Sequence, residues 1–252
     1  MKEELREKSV KNPEKQSKKP KKKAYDICNR VERRGGKDNR LMNVLRVIVA
    51  PILWLMFPFR YFGNKKVARG SAIFIVNHYR MSDVAYPGML TWEGMHYVAK
   101  REIFKWPVLG WFFKILKVIG VNRDGSDVRG MMDSLKCLKN GEKIVIYPEG
   151  TRNKTDADFL PFKGGAALMA IKAKAPVIPV VSYKRPRWFR MTDVIVGDPI
   201  EFTQYYDKKV TEEDLAEADA FLLETMKRLR AEHTVYLAEK KAAKKGKKAT
   251  ES

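Results

Sequence analysis

Four short runs of apolar, mostly β-branched residues restrict the fold of this chain more than any other feature. Turn-forming residues close each run, and helix-like segments separate them. Strands of this composition are buried on both faces, and strands alternating with helices form a layered α/β sheet. We therefore predict a single layered α/β domain with a mainly buried sheet flanked by helices, and strands at SAIFIV (71–76), KIVIYP (143–148), APVIPVVSY (175–183) and TDVIVG (192–197).

Three further segments have helical patterns. VRGMMDSLKCLKNG (128–141) carries a glycine placed as a C-cap, and FKGGAALMAIKAKA (162–175) is helical after its glycines. The longest predicted helix spans 211–238, where Thr211 is an N-cap and acidic residues fill the first turns.

The formal net charge of +21 is concentrated at the two ends of the chain. Residues 1–38 and 239–252 are rich in lysine and poor in large apolar side chains, so both are predicted to be disordered arms around a domain at 66–238. Basic arms bind polyanions, either an anionic membrane surface or nucleic acid. The absence of a helix-turn-helix cue, zinc-finger spacing and RNP-like strand favours the membrane.

An apolar segment, LMNVLRVIVAPILWLMFPFRYF (41–62), precedes the first predicted strand. Its unbroken apolar part, 47–59, contains two prolines and is shorter than the roughly 20 residues that a spanning helix needs. We predict a helix at 39–65 that lies in the membrane interface, with Trp54 and Tyr61 near the headgroups. A buried core helix and a transmembrane span are the alternatives.

The cysteine positions and the absence of several motifs exclude some kinds of functional site. Cys28 and Cys137 stand far apart, without CxxC or Cys/His spacing, which predicts reduced cytosolic thiols rather than a disulfide or a zinc site. The first apolar segment starts too late for a secretory signal peptide. No GxSxG, HExxH, P-loop or GxGxxG occurs, so we expect no serine nucleophile, metal or bound cofactor.

The stretch NHYRMSD (77–83) follows the first predicted strand directly. If His78 lies at the strand exit and Asp83 in the first turn of a helix, the chain between them brings the two side chains together. An aspartate held at a helix N-terminus fixes the tautomer of the imidazole, which then acts as a general base. The alternative is a His and an Asp that only cap a turn.

A second strand end, YPEGTRN (147–153), carries Glu149 and Arg152. Ligands of open α/β sheets bind at the carboxyl ends of the strands, and arginine offers a planar fork for phosphate. Arg123, in VIGVNRDG, is a further candidate. Together with a general base, these residues predict a site that binds a phosphorylated alcohol.

The order of these motifs resembles the glycerophospholipid acyltransferase family, in particular the 1-acyl-sn-glycerol-3-phosphate acyltransferases. NHYRMSD is similar to the family's NHxxxxD block, VNR to its block ending in arginine, and YPEGTRN to its FPEGTRS block; FKGG and APVIPVV also match. The resemblance covers about residues 66 to 202. Arg80, where the family often has serine, and Asn122 depart from its pattern.

The resemblance implies transfer of an acyl group from acyl-CoA or acyl carrier protein to the sn-2 hydroxyl of lysophosphatidic acid, at the cytoplasmic face of the cell membrane. It implies His78 as the base and Asp83 as its orienting partner. The glycerol-phosphate pocket would consist of Arg123, Glu149, Gly150, Thr151 and Arg152, with Lys100 as an additional cation. Alternatives are glycerol-3-phosphate or another lysophospholipid as acceptor, or an inactive basic protein that binds membrane or nucleic acid on the same scaffold.

Overall fold

The computed structural model of the protein describes residues 40–67, 69–105, 113, 118–122 and 128–250. The predicted basic arm at 1–38 and the candidate Arg123 lie outside these residues. Within them, seven strands form one sheet in the order β1-β7-β6-β2-β5-β3-β4. The strands are β1 (Phe59–Gly63), β2 (Ala72–Val76), β3 (Met95–Lys100), β4 (Ile119–Val121), β5 (Lys143–Ile146), β6 (Val177–Ser182) and β7 (Thr192–Val196).

Helices cover both faces of the sheet. The α-helices among the described residues are α1 (Arg40–Met56), α2 (Ala85–Gly88), α3 (Val128–Lys139), α4 (Ala166–Ala173) and α5 (Glu212–Thr250). Short 3₁₀ helices occur at Met81–Val84, Arg101–Lys105 and Thr203–Tyr205.

Strand direction brings the segments that carry the predicted site residues to one edge of the sheet. β2, β3, β4, β5 and β6 are parallel, so their carboxyl ends share an edge, which we call the carboxyl edge. β7 is antiparallel to β6, and β1 is parallel to β7. β1 and β7 therefore begin at the carboxyl edge, and the end of α1 lies there with them.

The core has two apolar layers because side chains alternate along each strand. On β2, Ile73 and Ile75 face a layer formed with α3, α4 and α5. Phe74 and Val76 face the opposite layer, against which Leu53 of α1 packs. All five residues of β2 are buried, as expected for a central strand covered on both sides.

The four predicted strands are confirmed as β2, β5, β6 and β7. The structure adds β1, β3 and β4, which pattern reading missed. β4 has only three residues, and β3, with sequence MHYVAK, is buried only at its start. Such strands carry little hydrophobic periodicity of their own, and their pairing with neighbours defines them.

Two predicted boundaries need correction. The segment predicted as a helix over 39–65 is helical only to Met56; after Pro58 the chain forms β1, which buries Phe59 and pairs with β7. The tail predicted to be disordered over 239–252 continues α5 as far as Thr250. Alanine, lysine and glutamate, which dominate that tail, are strong helix formers even where they have no core to bury.

Among the residues that the structure describes, no helix combines the length and the apolar character required to cross a bilayer.

Candidate active site at the carboxyl edge

The exit of β2 is anchored to its neighbour by Asn77. This side chain is fully buried, donates to the carbonyl of Ser182 at 3.1 Å and accepts from the Ser182 N–H at 2.8 Å. Because both the oxygen and the nitrogen of the Asn77 side chain bond to the backbone of Ser182, β2 and β6 end in a fixed register. His78, the next residue, therefore leaves the sheet from a rigid position.

The predicted contact between His78 and Asp83 is present. Nδ1 of His78 lies 3.3 Å from Oδ2 of Asp83, which is fully buried in the 3₁₀ helix Met81–Val84. The same oxygen accepts the backbone N–H groups of Tyr79 at 2.6 Å and Arg80 at 2.7 Å. Backbone donors thus hold the carboxylate in place beside the imidazole.

The turn after β5 forms hydrogen bonds with the backbone of His78. Oε1 of Glu149 accepts the His78 N–H at 3.3 Å, and the N–H of Asn153 donates to the His78 carbonyl at 2.6 Å. Gly150 has a φ of 65°, the left-handed conformation that glycine adopts without strain. The turn therefore encloses both backbone polar groups of His78.

Glu149 is buried, with 1% of its surface exposed. Burial raises the pKa of its carboxyl group to about 7, although the hydrogen bonds from the N–H groups of His78 and Leu160 act in the opposite direction. Glu149 does not line the cavity described below. Its geometry is that of a group that positions His78.

Tyr147 is a site residue that sequence reasoning left unassigned. Its ring centroid lies 4.3 Å from that of His78, with 32° between the planes. Burial raises the pKa of its phenol well above the usual value. The ring covers one face of the imidazole and restricts its rotation.

A cavity of ≈ 1070 Å³ opens beside His78. Gly150, Thr151, Arg152 and Lys100, all predicted to bind substrate, contribute to its wall, whereas Asp83 lies behind His78. The rest of the wall is largely apolar and includes Val49 and Leu53 of α1, Met89, Met131 and Met169. The cavity thus combines an imidazole, cations and an apolar lining.

Comparison with known proteins identifies the family. A family model described as Acyltransferase matches residues 59–183, which include His78, Asp83, Glu149 and Arg152. Residues 59–183 of the chain form a domain of the acyltransferase family. Two of its relatives named 1-acyl-sn-glycerol-3-phosphate acyltransferase are those of Bacillus subtilis, 33% identical over 119 residues, and Saccharomyces cerevisiae, 34% identical over 125 residues.

These matches cover part of each protein. They span 45% of this chain and 57% of the Bacillus relative, and 47% of this chain and 41% of the yeast relative. The fold resembles the crystal structure of the 1-acyl-sn-glycerophosphate acyltransferase of Thermotoga maritima, with a TM-score of 0.55 and 23% identity over 84% of this chain and 82% of that chain.

Lys163 and Asn122 also line the cavity of this acyltransferase-family chain, although neither was a predicted site residue. The Lys163 side chain lies beside Gly150, where an added Cβ would come within 2.7 Å of its Cδ. FKGG, which contains Lys163, is one of the segments that resembles the family, and this was the signal available in the sequence. Lys100 forms an exposed ion pair with Glu102 at 2.8 Å.

One group of side chains has metal-ligand chemistry. Among the described residues, the donor atoms of His96, Cys137 and Glu142 lie within 4.8 Å of one another. His96 belongs to the start of β3, away from the carboxyl edge. Its Nε2 lies 3.3 Å from the Glu142 carboxylate, so a direct contact between these two side chains accounts for their proximity.

Proposed function

We propose that the protein transfers an acyl group from a thioester of coenzyme A or acyl carrier protein to the sn-2 hydroxyl of lysophosphatidic acid, giving phosphatidic acid. One observation carries the proposal: His78, oriented by Asp83, shares one cavity wall with Arg152. The family and the names of its relatives support the reaction class and the acceptor.

His78 acts as the general base in the proposed mechanism. Asp83 holds the proton on Nδ1, so Nε2 takes the proton of the acceptor hydroxyl as its oxygen attacks the thioester carbonyl. The tetrahedral intermediate collapses, the carbon–sulfur bond breaks, and the proton on Nε2 passes to the departing sulfur. The products are the ester and a free thiol, with no covalent enzyme intermediate.

The cations of the cavity bind the phosphate of the acceptor. Arg152 offers a planar pair of N–H donors, and Lys163 and Lys100 add charge to the same wall. Arg123 stays a prediction from the sequence. We assign Glu149 to the positioning of His78, since it is buried against the backbone of that residue.

The apolar part of the cavity suits the acyl chain of the acceptor. Val49 and Leu53 connect its wall to α1, whose outward side exposes Val47, Ile48 and Leu55. An exposed apolar helix beside the cavity supports the predicted interfacial contact with a membrane, from which a lipid substrate would enter. We expect this contact at the cytoplasmic face.

The test is thiol release from acyl-CoA or acyl carrier protein that depends on lysophosphatidic acid. In His78→Ala we expect the rate per folded molecule to fall about 10²–10⁴-fold, as for loss of a general base. His96→Ala, with its histidine at the opposite edge, is the matched control and should keep its activity. Undiminished turnover in His78→Ala would rule out the mechanism.

The same assay identifies the acceptor. Glycerol-3-phosphate and other lysophospholipids, offered in place of lysophosphatidic acid, should be poorer substrates. A preference for one of them would keep the reaction class and change the acceptor. Absence of transfer with every acceptor, together with salt-resistant binding to duplex DNA, would instead support a binding protein on this scaffold.

A further inference from the structure

The chain between β6 and β7 forms an exposed hairpin with the sequence KRPRWFRM, which we call the 184–191 hairpin. An antiparallel bridge joins Arg187 to Arg190, and the Arg190 N–H donates to the Arg187 carbonyl at 3.2 Å. Trp188 and Phe189 therefore form the tip. They are 52% and 70% exposed.

The backbone at the tip is unfavourable for an aromatic residue. Phe189 has a φ of 56°, in the left-handed region that glycine and asparagine normally occupy. Its side chain gains little burial within the described structure in return. A bulky apolar residue kept in such a position suggests that it contacts something outside the chain.

Basic side chains surround the tip. Lys184, Arg185, Arg187 and Arg190 are all exposed, and no acidic residue occurs between 184 and 191. Arg185 donates to the carbonyls of Asn153 and Thr155, both at 3.1 Å, so it supports the base of the hairpin. An aromatic tip with arginines beside it complements a bilayer whose headgroups are anionic and whose interior is apolar.

The hairpin is also continuous with α1. The Phe189 N–H donates to the carbonyl of Met56 at 2.8 Å, and the rings of Phe57 and Trp188 lie 4.6 Å apart. The apolar outer side of α1 and the aromatic tip thus form one surface. This surface lies at the carboxyl edge, where His78 and the cavity are found.

We propose that the 184–191 hairpin inserts Trp188 and Phe189 into the surface of an anionic phospholipid bilayer, as a second contact beside α1. Two contacts at different positions fix the orientation of the protein, which a single interfacial helix leaves free to rotate about its axis. The orientation turns the carboxyl edge toward the lipid; that consequence rests on the proposed function, whereas membrane binding by the hairpin does not.

Co-sedimentation of the full chain with vesicles tests the aromatic tip. On phosphatidylcholine vesicles that contain phosphatidylglycerol, we expect Trp188→Ala/Phe189→Ala to bind about tenfold more weakly than the unaltered protein. The matched control is Trp92→Ala/Phe221→Ala, which removes the same residue types at sites 64% and 50% exposed. The control should bind as the unaltered protein does.

The charge component has its own test. Arg187→Gln/Arg190→Gln should weaken binding about tenfold on vesicles with phosphatidylglycerol and change little on phosphatidylcholine alone. Lys208→Gln/Lys209→Gln removes the same charge from two exposed lysines before α5 and is the control. Equal loss in both double variants would indicate general charge attraction and overturn the role of the hairpin.

Activity toward a short-chain, monomerically dissolved acceptor separates this inference from the proposed function. Trp188→Ala/Phe189→Ala should keep that activity per folded molecule, because neither side chain lines the cavity. If this variant binds vesicles as tightly as the unaltered protein, the inference is wrong whatever the activity. If the unaltered protein binds vesicles but transfers no acyl group, the proposed function is wrong and the hairpin contact remains.

Discussion

Asp83 links the local backbone to the imidazole of His78. Its Oδ2 receives the N–H groups of Tyr79 and Arg80 and also contacts Nδ1 of His78. The backbone donors keep the carboxylate in place without the imidazole. The oxygen of an asparagine at this position can accept the same two N–H groups, so Asp83→Asn tests the role of the charge separately from folding.

Asp83→Asn should reduce kcat about 10²–10⁴-fold with a smaller effect on KM, because the carboxamide lacks the negative charge that stabilises the imidazolium formed when His78 takes the proton. The measurement is thiol release that depends on lysophosphatidic acid, followed across pH. Asp133→Asn, at an exposed position of α3, is the control and should be unaffected. A variant with the original kcat would mean that Asp83 only caps the turn.

The buried Glu149 predicts a pH-dependent stability. Its pKa rises from 4.5 to about 7 on folding, so the folded protein binds the proton more tightly than the unfolded chain. The stabilising contribution is complete below the unfolded value and is lost as pH rises through about 7. Glu149→Gln removes this titration and keeps an oxygen to accept the His78 N–H.

Urea unfolding of Glu149→Gln and of the unaltered protein measures this effect. The stability of the variant relative to the unaltered protein should increase as pH rises between 4.5 and about 7. Each pKa unit corresponds to about 1.4 kcal/mol, so a difference of about 1–3 kcal/mol is expected across the window. A stability difference that is constant with pH would contradict the raised pKa of Glu149.

At the scale of elements, β1 depends on one glycine at its end. Gly63 has a φ of 78°, and a Cβ there would lie 2.2 Å from the backbone carbonyl oxygen of Val196. Gly63→Ala should therefore disturb the pairing of β1 with β7 and lower the free energy of unfolding by about 2–4 kcal/mol. Thermal or urea unfolding measures the change.

Gly246→Ala, in α5, is the control for Gly63→Ala. Its added Cβ would meet nothing within 4 Å, and alanine is favoured over glycine inside a helix by about 1 kcal/mol. It should leave stability unchanged or slightly raised. Equal destabilisation by both substitutions would show that the close approach of Gly63 to the Val196 carbonyl is not the cause of the lost stability.

For the whole molecule, the two edges of the sheet have different properties. At the edge opposite His78, the ammonium of Lys143 is fully buried, contacts the carboxylate of Glu93 and donates to the Gly70 carbonyl at 2.8 Å. Burial lowers the pKa of this lysine, against the attraction of Glu93. The carboxyl edge instead exposes cations to the cavity.

Lys143→Ala should cost about 3–5 kcal/mol of stability, because it leaves the Glu93 carboxylate buried without its cation. At permissive temperature, acyl transfer per folded molecule should be retained, since the pair lies at the opposite edge. Lys174→Ala, which breaks an exposed pair with Asp207, should cost at most about 1 kcal/mol. Equal costs for the two variants, measured by urea unfolding, would contradict this distinction.

Local sequence was sufficient for β2, β5, β6 and β7 and for the approach of Asp83 to His78. A buried strand is encoded by its own β-branched residues, and the aspartate follows the histidine by five positions in the sequence. The capping of α5 by Thr211 could likewise be predicted from the sequence. In the structure the Thr211 side chain accepts the Asp214 N–H at 3.1 Å. Such features need no information from distant segments.

Contacts between distant segments were decided by the tertiary structure. Glu149 lies 71 residues from His78 in sequence, and only the pairing of β2 with β5 directs its carboxylate to the His78 backbone. The stacking of Tyr147 and the contact of Trp188 with Phe57 depend on the same sheet. Strand order and register set these distances, and neither is contained in the periodicity of any single segment.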